Sequence, residues 1–134
     1  MFELHEYNSG VCFNIKLVDK VCIFNSGSGT GKTFMCNTIE GYCFSNNISC
    51  QNIGYNSYGK TSEEIVDSCK GCSVVLLDKS DTYLRSEMLK EIAKSADLVI
   101  VCMHHIHELD ISQSEAGIYL TEFEDNNIIT RKVW

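Results

Sequence analysis

Hydrophobic and polar residues alternate in two separate parts of the chain. They alternate over residues 2–7 and 11–17, on either side of Asn8-Ser9-Gly10, and this pattern predicts two strands joined by a tight turn. The final segment, residues 117–134, alternates in a similar way around Asp125-Asn126-Asn127. The pattern therefore predicts an antiparallel hairpin at each end of the chain.

Three other segments are apolar without alternation. They are residues 20–25, 72–78 and 97–103. The first is predicted to be a short strand, and the other two have the length and composition of strands that are buried on both faces of a parallel sheet. Residues 48–53 form a weaker candidate strand. The middle of the chain is thus predicted to supply the buried part of a parallel sheet.

Apolar residues recur at helical spacing between these strands. The first helix is predicted to begin near Gly31 or Lys32. The second is predicted to begin after Thr61, where Glu64 completes a capping box, and to run to about Cys69. The third has one apolar stripe and an opposite face of charged residues. The members of that stripe are Leu84, Met88, Ile92 and Ala96.

The order of strands and helices predicts the fold class. Strands that alternate with helices are typical of β-α-β units, in which parallel strands form a central sheet and helices cover both of its faces. We therefore expect an α/β protein: a three-layer αβα domain with a mainly parallel sheet, to which the N- and C-terminal hairpins add antiparallel edges. The chain of 134 residues shows no internal boundary, so residues 1–134 are predicted to form a single domain.

Composition narrows the classes of partner. The net charge of −7 disfavours binding to a nucleic-acid backbone, which relies on clustered Lys and Arg. No apolar run has the length of a membrane span and the first residues lack a signal-peptide pattern, so the sequence predicts a cytoplasmic protein with no membrane partner. The eight cysteines are accordingly interpreted as reduced thiols, with Cys12, Cys22 and Cys102 in core strands.

A glycine-rich segment, Ser26-Gly27-Ser28-Gly29-Thr30-Gly31-Lys32-Thr33, lies between the first buried strand and the first helix. A loop in this position directs backbone N–H groups and the helix dipole at a polyphosphate, and glycines permit its close approach. Lys32 is placed to reach the β and γ phosphates and the Thr33 hydroxyl to bind Mg²⁺. The predicted nucleotide-binding residues are Gly27, Ser28, Gly29, Thr30, Gly31, Lys32, Thr33 and Phe34.

On these residues the chain resembles the P-loop NTPases, and in particular the additional-strand class that includes AAA-type and ABC-type ATPases. The match runs from Ser28 to Thr33 and departs from the GxxxxGK(S/T) pattern at Ser26, which replaces the first glycine. The resemblance covers about residues 20–103. It implies a three-layer P-loop NTPase-like core that binds ATP, in which the strand at 97–103 lies between the loop strand and the strand at 72–78.

The second motif of that class is four apolar residues followed by an acid, and residues 74–78, Val-Val-Leu-Leu-Asp, match it. The resemblance implies that Asp78 holds Mg²⁺ together with Thr33. In hydrolytic members a glutamate follows this acid and polarises the attacking water, whereas Lys79 stands there in this chain. Asp81 is the nearest substitute, although Ser80 or Asp81 is also placed to cap the following helix.

Histidines and cysteines suggest further interpretations. His104 follows the strand at 97–103, where the resemblance implies a sensor of the γ phosphate, but a histidine at a strand end is also an ordinary surface residue. His105 is less favoured because its side chain would point to the other face. A metal site is also suggested by two groups, but the paired ligand spacings of a zinc site are missing. These groups are His104, His105, His107 and Glu108, and Cys69 with Cys72.

These features favour an ATP-binding, Mg²⁺-dependent ATPase whose hydrolysis is slow or stimulated by a partner. Its predicted catalytic residues are Lys32, Asp78, Asp81 and His104. A nucleotide-dependent switch, acting on a protein partner or within a homo-oligomer, is the main alternative. A small-molecule or nucleoside kinase is disfavoured, since the chain has only two arginines. Recognition of GTP is a further alternative, because residues 78–81 are similar to the guanine-recognition motif (N/T)KxD. It is disfavoured because the sequence lacks the DxxG motif that should precede (N/T)KxD in a GTPase.

Overall fold

The computed structural model describes residues 1–25, 31–104 and 116–134. Within these ranges the chain forms one eight-stranded sheet and three α-helices. The strands are β1 (Phe2–Asn8), β2 (Val11–Leu17), β3 (Val21–Phe24), β4 (Cys50–Ile53), β5 (Val74–Leu77), β6 (Leu98–Cys102), β7 (Ala116–Glu124) and β8 (Asn127–Lys132). The helices are α1 (Lys32–Ser45), α2 (Ser62–Cys69) and α3 (Ser86–Ser95). None of these helices is long and apolar enough to cross a membrane.

The sheet is mixed, with the strand order β1-β2-β8-β7-β3-β6-β5-β4. Strands β3 to β6 are parallel to one another, and β7 is parallel to β3. The pairs β1–β2 and β7–β8 are antiparallel, and β2 pairs in parallel with β8. The strand at 97–103 was predicted to lie between the strand at 20–25, which precedes the glycine-rich segment, and the strand at 72–78. This prediction is confirmed, since β6 pairs with β3 on one side and with β5 on the other.

The expected three-layer αβα, P-loop NTPase-like fold is wrong for this chain. The sheet is a curled half-barrel, mostly β, and the described residues form only three short helices. The hairpins supply half of the strands, and β7–β8 lies inside the sheet between β3 and β2 instead of adding an edge. Alternation shows which face of a strand is apolar but does not identify the neighbouring strand, so the sequence pattern did not reveal this arrangement.

Two clusters of buried side chains lie on opposite faces of the sheet, because residues of β3 alternate between them. Cys22 and Phe24 belong to the cluster that contains α1, whereas Val21 and Ile23 belong to the cluster that contains α2 and α3. The α1 cluster also takes in the apolar faces of β1 and β2. Curling of the sheet therefore closes this side of the core with strands as well as with a helix.

The local predictions hold better than the architecture. Helix α1 begins at Lys32, and the capping box of α2 is complete, with Thr61 Oγ1 accepting from Glu64 N at 3.2 Å and Glu64 Oε1 accepting from Thr61 N at 3.1 Å. The β7–β8 turn has positive φ at Asp125 (48°) and Asn126 (62°), as tight hairpin turns require. One core prediction fails: Cys12 is exposed, because it lies on the outward side of β2.

Candidate functional site

The carboxyl ends of three parallel strands meet at one edge of the sheet. Phe24, the last residue of β3, is paired with Cys102, the last residue of β6, and Leu77 at the end of β5 is paired with Val101. Ligands of parallel sheets gather at such carboxyl ends. The predicted residues Asp78 and His104 follow directly from β5 and β6, so the structure brings both to this edge.

Part of the glycine-rich segment lies outside the described residues. The nucleotide contacts assigned to Gly27, Ser28, Gly29 and Thr30 therefore remain predictions, as do the roles considered for His105, His107 and Glu108. The described part of the segment begins at Gly31, whose φ of 83° is in the left-handed region that favours glycine. A Cβ on Gly31 would lie 3.1 Å from Ile128 Cδ1, so both conformation and space favour glycine before α1.

The two predicted Mg²⁺ ligands are in direct contact. Thr33, in the first turn of α1, donates a hydrogen bond from Oγ1 to Asp78 Oδ2 at 2.8 Å. The other carboxylate oxygen, Oδ1, accepts from the backbone N–H of Lys79 at 3.0 Å. Asp78 is 7% exposed, so its charge is held in a largely buried position. A hydroxyl and a carboxylate that lie next to each other provide two hard oxygen ligands of the kind that Mg²⁺ prefers.

Lys32 precedes this pair at the start of α1 and is buried, with 9% of its surface exposed. Burial lowers the pKa of Lys32, and the nearby side chains, among them the carboxylates of Asp78 and Asp81, oppose that decrease. A buried ammonium group is costly unless anions compensate it. An additional anion at this edge of the sheet would stabilise the charged form of Lys32 further.

A 3₁₀ turn at Ser80–Thr82 follows β5 and is hydrogen-bonded to the end of β6 and to the residue His104 beyond it. Ser80 is fully buried and donates from Oγ to the carbonyl of Cys102 at 3.0 Å. The backbone N–H of His104 donates to both oxygens of Asp81, at 2.8 and 3.1 Å. These bonds fix Asp81 beside the last residues of β6.

The alternative that Ser80 or Asp81 caps the following helix is wrong. Both side chains bond to the end of β6, and α3 begins only at Ser86, with Arg85 in the N-cap position and no side-chain cap. The helix was predicted to begin too early, because Leu84 fits the apolar stripe of α3 although it lies before the helix. Asp81 is therefore held by the edge of the sheet rather than by a helix.

Two further predicted residues have partners that the sequence did not indicate. His104 meets Asp81 through its backbone N–H, while the residue as a whole is exposed. The Phe34 ring packs edge-on against the Phe13 ring of β2, with 4.9 Å between the ring centroids. The aromatic side chain of Phe34 is thus part of the core contact between α1 and the N-terminal hairpin.

Sequence reasoning missed two cysteines next to Asp78. The Sγ atoms of Cys36 and Cys102 are 3.6 Å apart, and both lie within 4.8 Å of a carboxylate oxygen of Asp78. The hydrogen bond with Cys102, together with burial, raises the pKa of Cys36. The available signal was that Cys36 follows Lys32 by four residues, which places both on one face of α1. Cys69 and Cys72, the pair considered from the sequence, do not belong to this group.

Comparison with known proteins does not assign the chain to a family. No family model matches the chain, and neither a curated protein nor a solved structure matches it. A function must therefore be inferred from the residues at the carboxyl edge of the sheet. What these residues can do chemically is hold a cation with Thr33 and Asp78 and attract an anion with Lys32.

Proposed function

We propose that this protein binds Mg·ATP at the carboxyl ends of β3, β5 and β6 and hydrolyses it slowly or under the stimulation of a partner. The observation that carries the proposal is the hydrogen bond of 2.8 Å between Thr33 Oγ1 and Asp78 Oδ2 beside the buried Lys32. The sequence places Gly31-Lys32-Thr33 far from Asp78, yet folding joins them. A cytoplasmic location, where Mg·ATP is plentiful, is part of the proposal.

The residues present fit Mg²⁺ and a triphosphate. Mg²⁺ is bound in proteins through one or two oxygen side chains together with phosphates and waters, and Thr33 and Asp78 supply such oxygens. Lys32 supplies a positive charge for the β and γ phosphates, and the beginning of α1 adds the positive end of the helix dipole. The contribution of the bound ion is to neutralise the charge of the phosphates.

Slow hydrolysis follows from the residues around Asp78. Lys79 occupies the place where a base would be expected and cannot accept a proton from water while it is charged. Asp81 is near enough to Lys32 to oppose the lowering of its pKa by burial, and it is the remaining carboxylate that can orient water. Both of its oxygens already accept from the N–H of His104, so they are partly engaged before any water binds.

A nucleotide-dependent switch is the second candidate. The contact between the 3₁₀ turn and β6 favours it, because a ligand that moves Asp78 also acts on Ser80 and on Asp81, which is bonded to His104. In this case the chain binds nucleotide without significant turnover, and occupancy is read by a protein partner or by a second copy. A turnover assay separates the two candidates, since sustained release of phosphate by the isolated protein contradicts the switch.

Thermal unfolding with ATP, GTP and their non-hydrolysable analogues, each with and without Mg²⁺, tests the binding proposal. A ligand at a hundred times its Kd stabilises the folded state by about 2.7 kcal/mol, which for a domain of this size raises Tm by several degrees. We expect this increase with Mg·ATP and a smaller one without Mg²⁺. A larger increase with GTP favours guanine recognition by residues 78–81, and no increase with any nucleotide contradicts the proposal.

A further inference from the structure

Two thiols and a carboxylate from three different elements converge next to the Thr33–Asp78 contact. Cys36 comes from α1, Asp78 from the end of β5 and Cys102 from the end of β6. Their ligand atoms lie within 4.8 Å of one another, and all three residues are buried. The convergence is fixed by packing, because Cys36 and Cys102 are both fully enclosed members of the α1 cluster. Among the described residues this is the group that combines soft sulfur ligands with a charged oxygen.

We propose that Cys36, Asp78 and Cys102 form a binding site for a thiophilic divalent ion of the Zn²⁺ class. Sulfur ligands about 2.3 Å from a tetrahedral zinc ion are about 3.8 Å from each other. The two Sγ atoms are 3.6 Å apart, so binding requires them to move by only a few tenths of an ångström. A disulfide, by contrast, requires an S–S distance of about 2.0 Å and a much larger displacement.

The charges around the site also fit a divalent ion. Binding releases one proton from each thiol, so that two thiolates, one carboxylate and Zn²⁺ leave one net negative charge. Lys32 interacts electrostatically with Cys36, Cys102 and Asp78, and its positive charge balances that remainder. Thiolate ligands select Zn²⁺ and similar soft ions over Mg²⁺. The fourth position is available to water or to Thr33, whose hydroxyl oxygen lies 2.8 Å from Asp78 Oδ2.

The site shares Asp78 with the proposed nucleotide site, which gives it a regulatory consequence that rests on the proposed function. An ion that is bound by the two thiolates and is also coordinated by Asp78 weakens the contact between this carboxylate and Thr33. We expect protein that carries one equivalent of Zn²⁺ to bind Mg·ATP about tenfold more weakly than metal-free protein. The same loading should leave Mg·ATP binding by a Cys36→Ala variant unchanged, and an equal effect in both proteins contradicts the coupling.

A cadmium titration of the fully reduced, metal-free protein tests the site itself. Cd²⁺ bound by thiolates absorbs in the ultraviolet, and we expect saturation at one equivalent. Cys36→Ala and Cys102→Ala should each weaken binding by at least about tenfold. Cys43→Ala is the matched control, because Cys43 lies on the same helix and is fully buried in the same cluster but is not a member of the Cys36–Asp78–Cys102 group. Retention of full affinity in Cys36→Ala, or its loss in Cys43→Ala, overturns the assignment.

X-ray absorption of the wild-type protein with one equivalent of Zn²⁺ provides a test that does not depend on whether the variants fold. We expect two sulfur ligands at about 2.3 Å and oxygen or nitrogen ligands at about 2.0–2.2 Å. A shell without sulfur, or one with four sulfurs, contradicts the proposal. Neither metal experiment contains nucleotide, so their results are independent of whether the protein binds Mg·ATP.

Discussion

At the scale of single residues, two aspartates show how differently a carboxylate is used in this protein. Asp78 accepts from Thr33 at the carboxyl edge of the sheet. Asp19 lies before β3 and accepts from the Tyr119 hydroxyl at 2.7 Å, with the ammonium of Lys132 at 2.9 Å. The partners of Asp19 come from β7 and β8, so this carboxylate ties the C-terminal hairpin to the start of β3. The role of Asp19 is structural, whereas we propose that Asp78 contributes to ligand binding.

The Asp19 contacts predict a dependence of stability on pH. Burial raises the pKa of Asp19, but the hydrogen bond from Tyr119 and the charge of Lys132 outweigh burial and hold this pKa below its usual value. A lowered pKa stabilises the folded protein above the unfolded-state pKa of about 3.9, and this stabilisation is lost as the pH falls through the folded-state pKa. Lys132→Met should therefore move acid unfolding, followed by circular dichroism, to higher pH.

The magnitude of this effect is limited because Lys132 is partly exposed. We expect the variant to lose no more than about 1 kcal/mol of stability at neutral pH. Lys90→Met, at an exposed position on α3, is the control and should leave the acid-unfolding curve unchanged. Superimposable curves for the wild type and Lys132→Met would show that the Asp19 ion pair contributes nothing.

Among the secondary-structure elements, α1 with its N-cap contains one position that requires glycine and one that does not. Gly31 has a φ of 83°, and a side chain there would press on Ile128. Gly41 lies inside α1. A Cβ added at Gly41 would meet no other part of the protein within 4 Å, apart from its chain neighbours and the backbone of the helix itself. The two glycines of one helix region therefore differ in what a side chain would cost.

Substitution of each glycine by alanine should change stability in opposite directions. Gly31→Ala forces a residue with a Cβ into the left-handed region and should destabilise the protein by about 1–2 kcal/mol. Gly41→Ala reduces the conformational freedom of the unfolded chain at a position that is helical in the folded protein, so it should stabilise the protein by about 0.5–1 kcal/mol. Urea unfolding measures both, and a neutral Gly31→Ala contradicts the conformation described for this residue.

The elements themselves were largely predictable from the sequence, because their signals are local. The Thr61–Glu64 capping box, the buried runs at 72–78 and 97–103, and the turn at Asp125-Asn126 each depend on residues close together in the chain. The site was predictable only in part. Thr33 and Asp78 were paired through a motif, but the approach of Cys36 to Cys102 arises from the packing of α1 on the sheet and has no motif.

At the scale of the whole molecule, the curl of the sheet decides the fold. It brings β1 and β2 over the same core that α1 covers, and Phe13 of β2 is fully buried against the Phe34 ring. The sequence did not predict that strands share this side of the core with α1, since it reports the apolar face of each hairpin strand and not the element that this face meets. The position of β7–β8 between β3 and β2 likewise depends on contacts between distant segments.

The curl predicts a large effect of substitutions at Phe13. Phe13→Ala should destabilise the protein by about 3–5 kcal/mol, because a buried aromatic ring that joins two elements is lost. Phe13→Leu should cost less and keeps the test informative if the alanine variant does not fold. Tyr7→Ala on β1 is the control, since Tyr7 is 71% exposed, and it should change stability by less than about 0.5 kcal/mol. Similar losses of stability for Phe13→Ala and Tyr7→Ala would contradict the packing of the N-terminal hairpin against α1.

We propose that Mg·ATP binds at the carboxyl ends of β3, β5 and β6 through Lys32, and calorimetry of the wild type and of Lys32→Ala measures this contribution. A charge-assisted contact with phosphate is worth about 1.5–3 kcal/mol, so the variant should bind at least about tenfold more weakly. Lys90→Ala removes the same charge from an exposed site on α3 and should bind like the wild type. We expect saturable Mg·ATP binding by the wild type and Lys90→Ala that is at least about tenfold weaker in Lys32→Ala alone, and equal affinity in all three proteins would contradict the proposal.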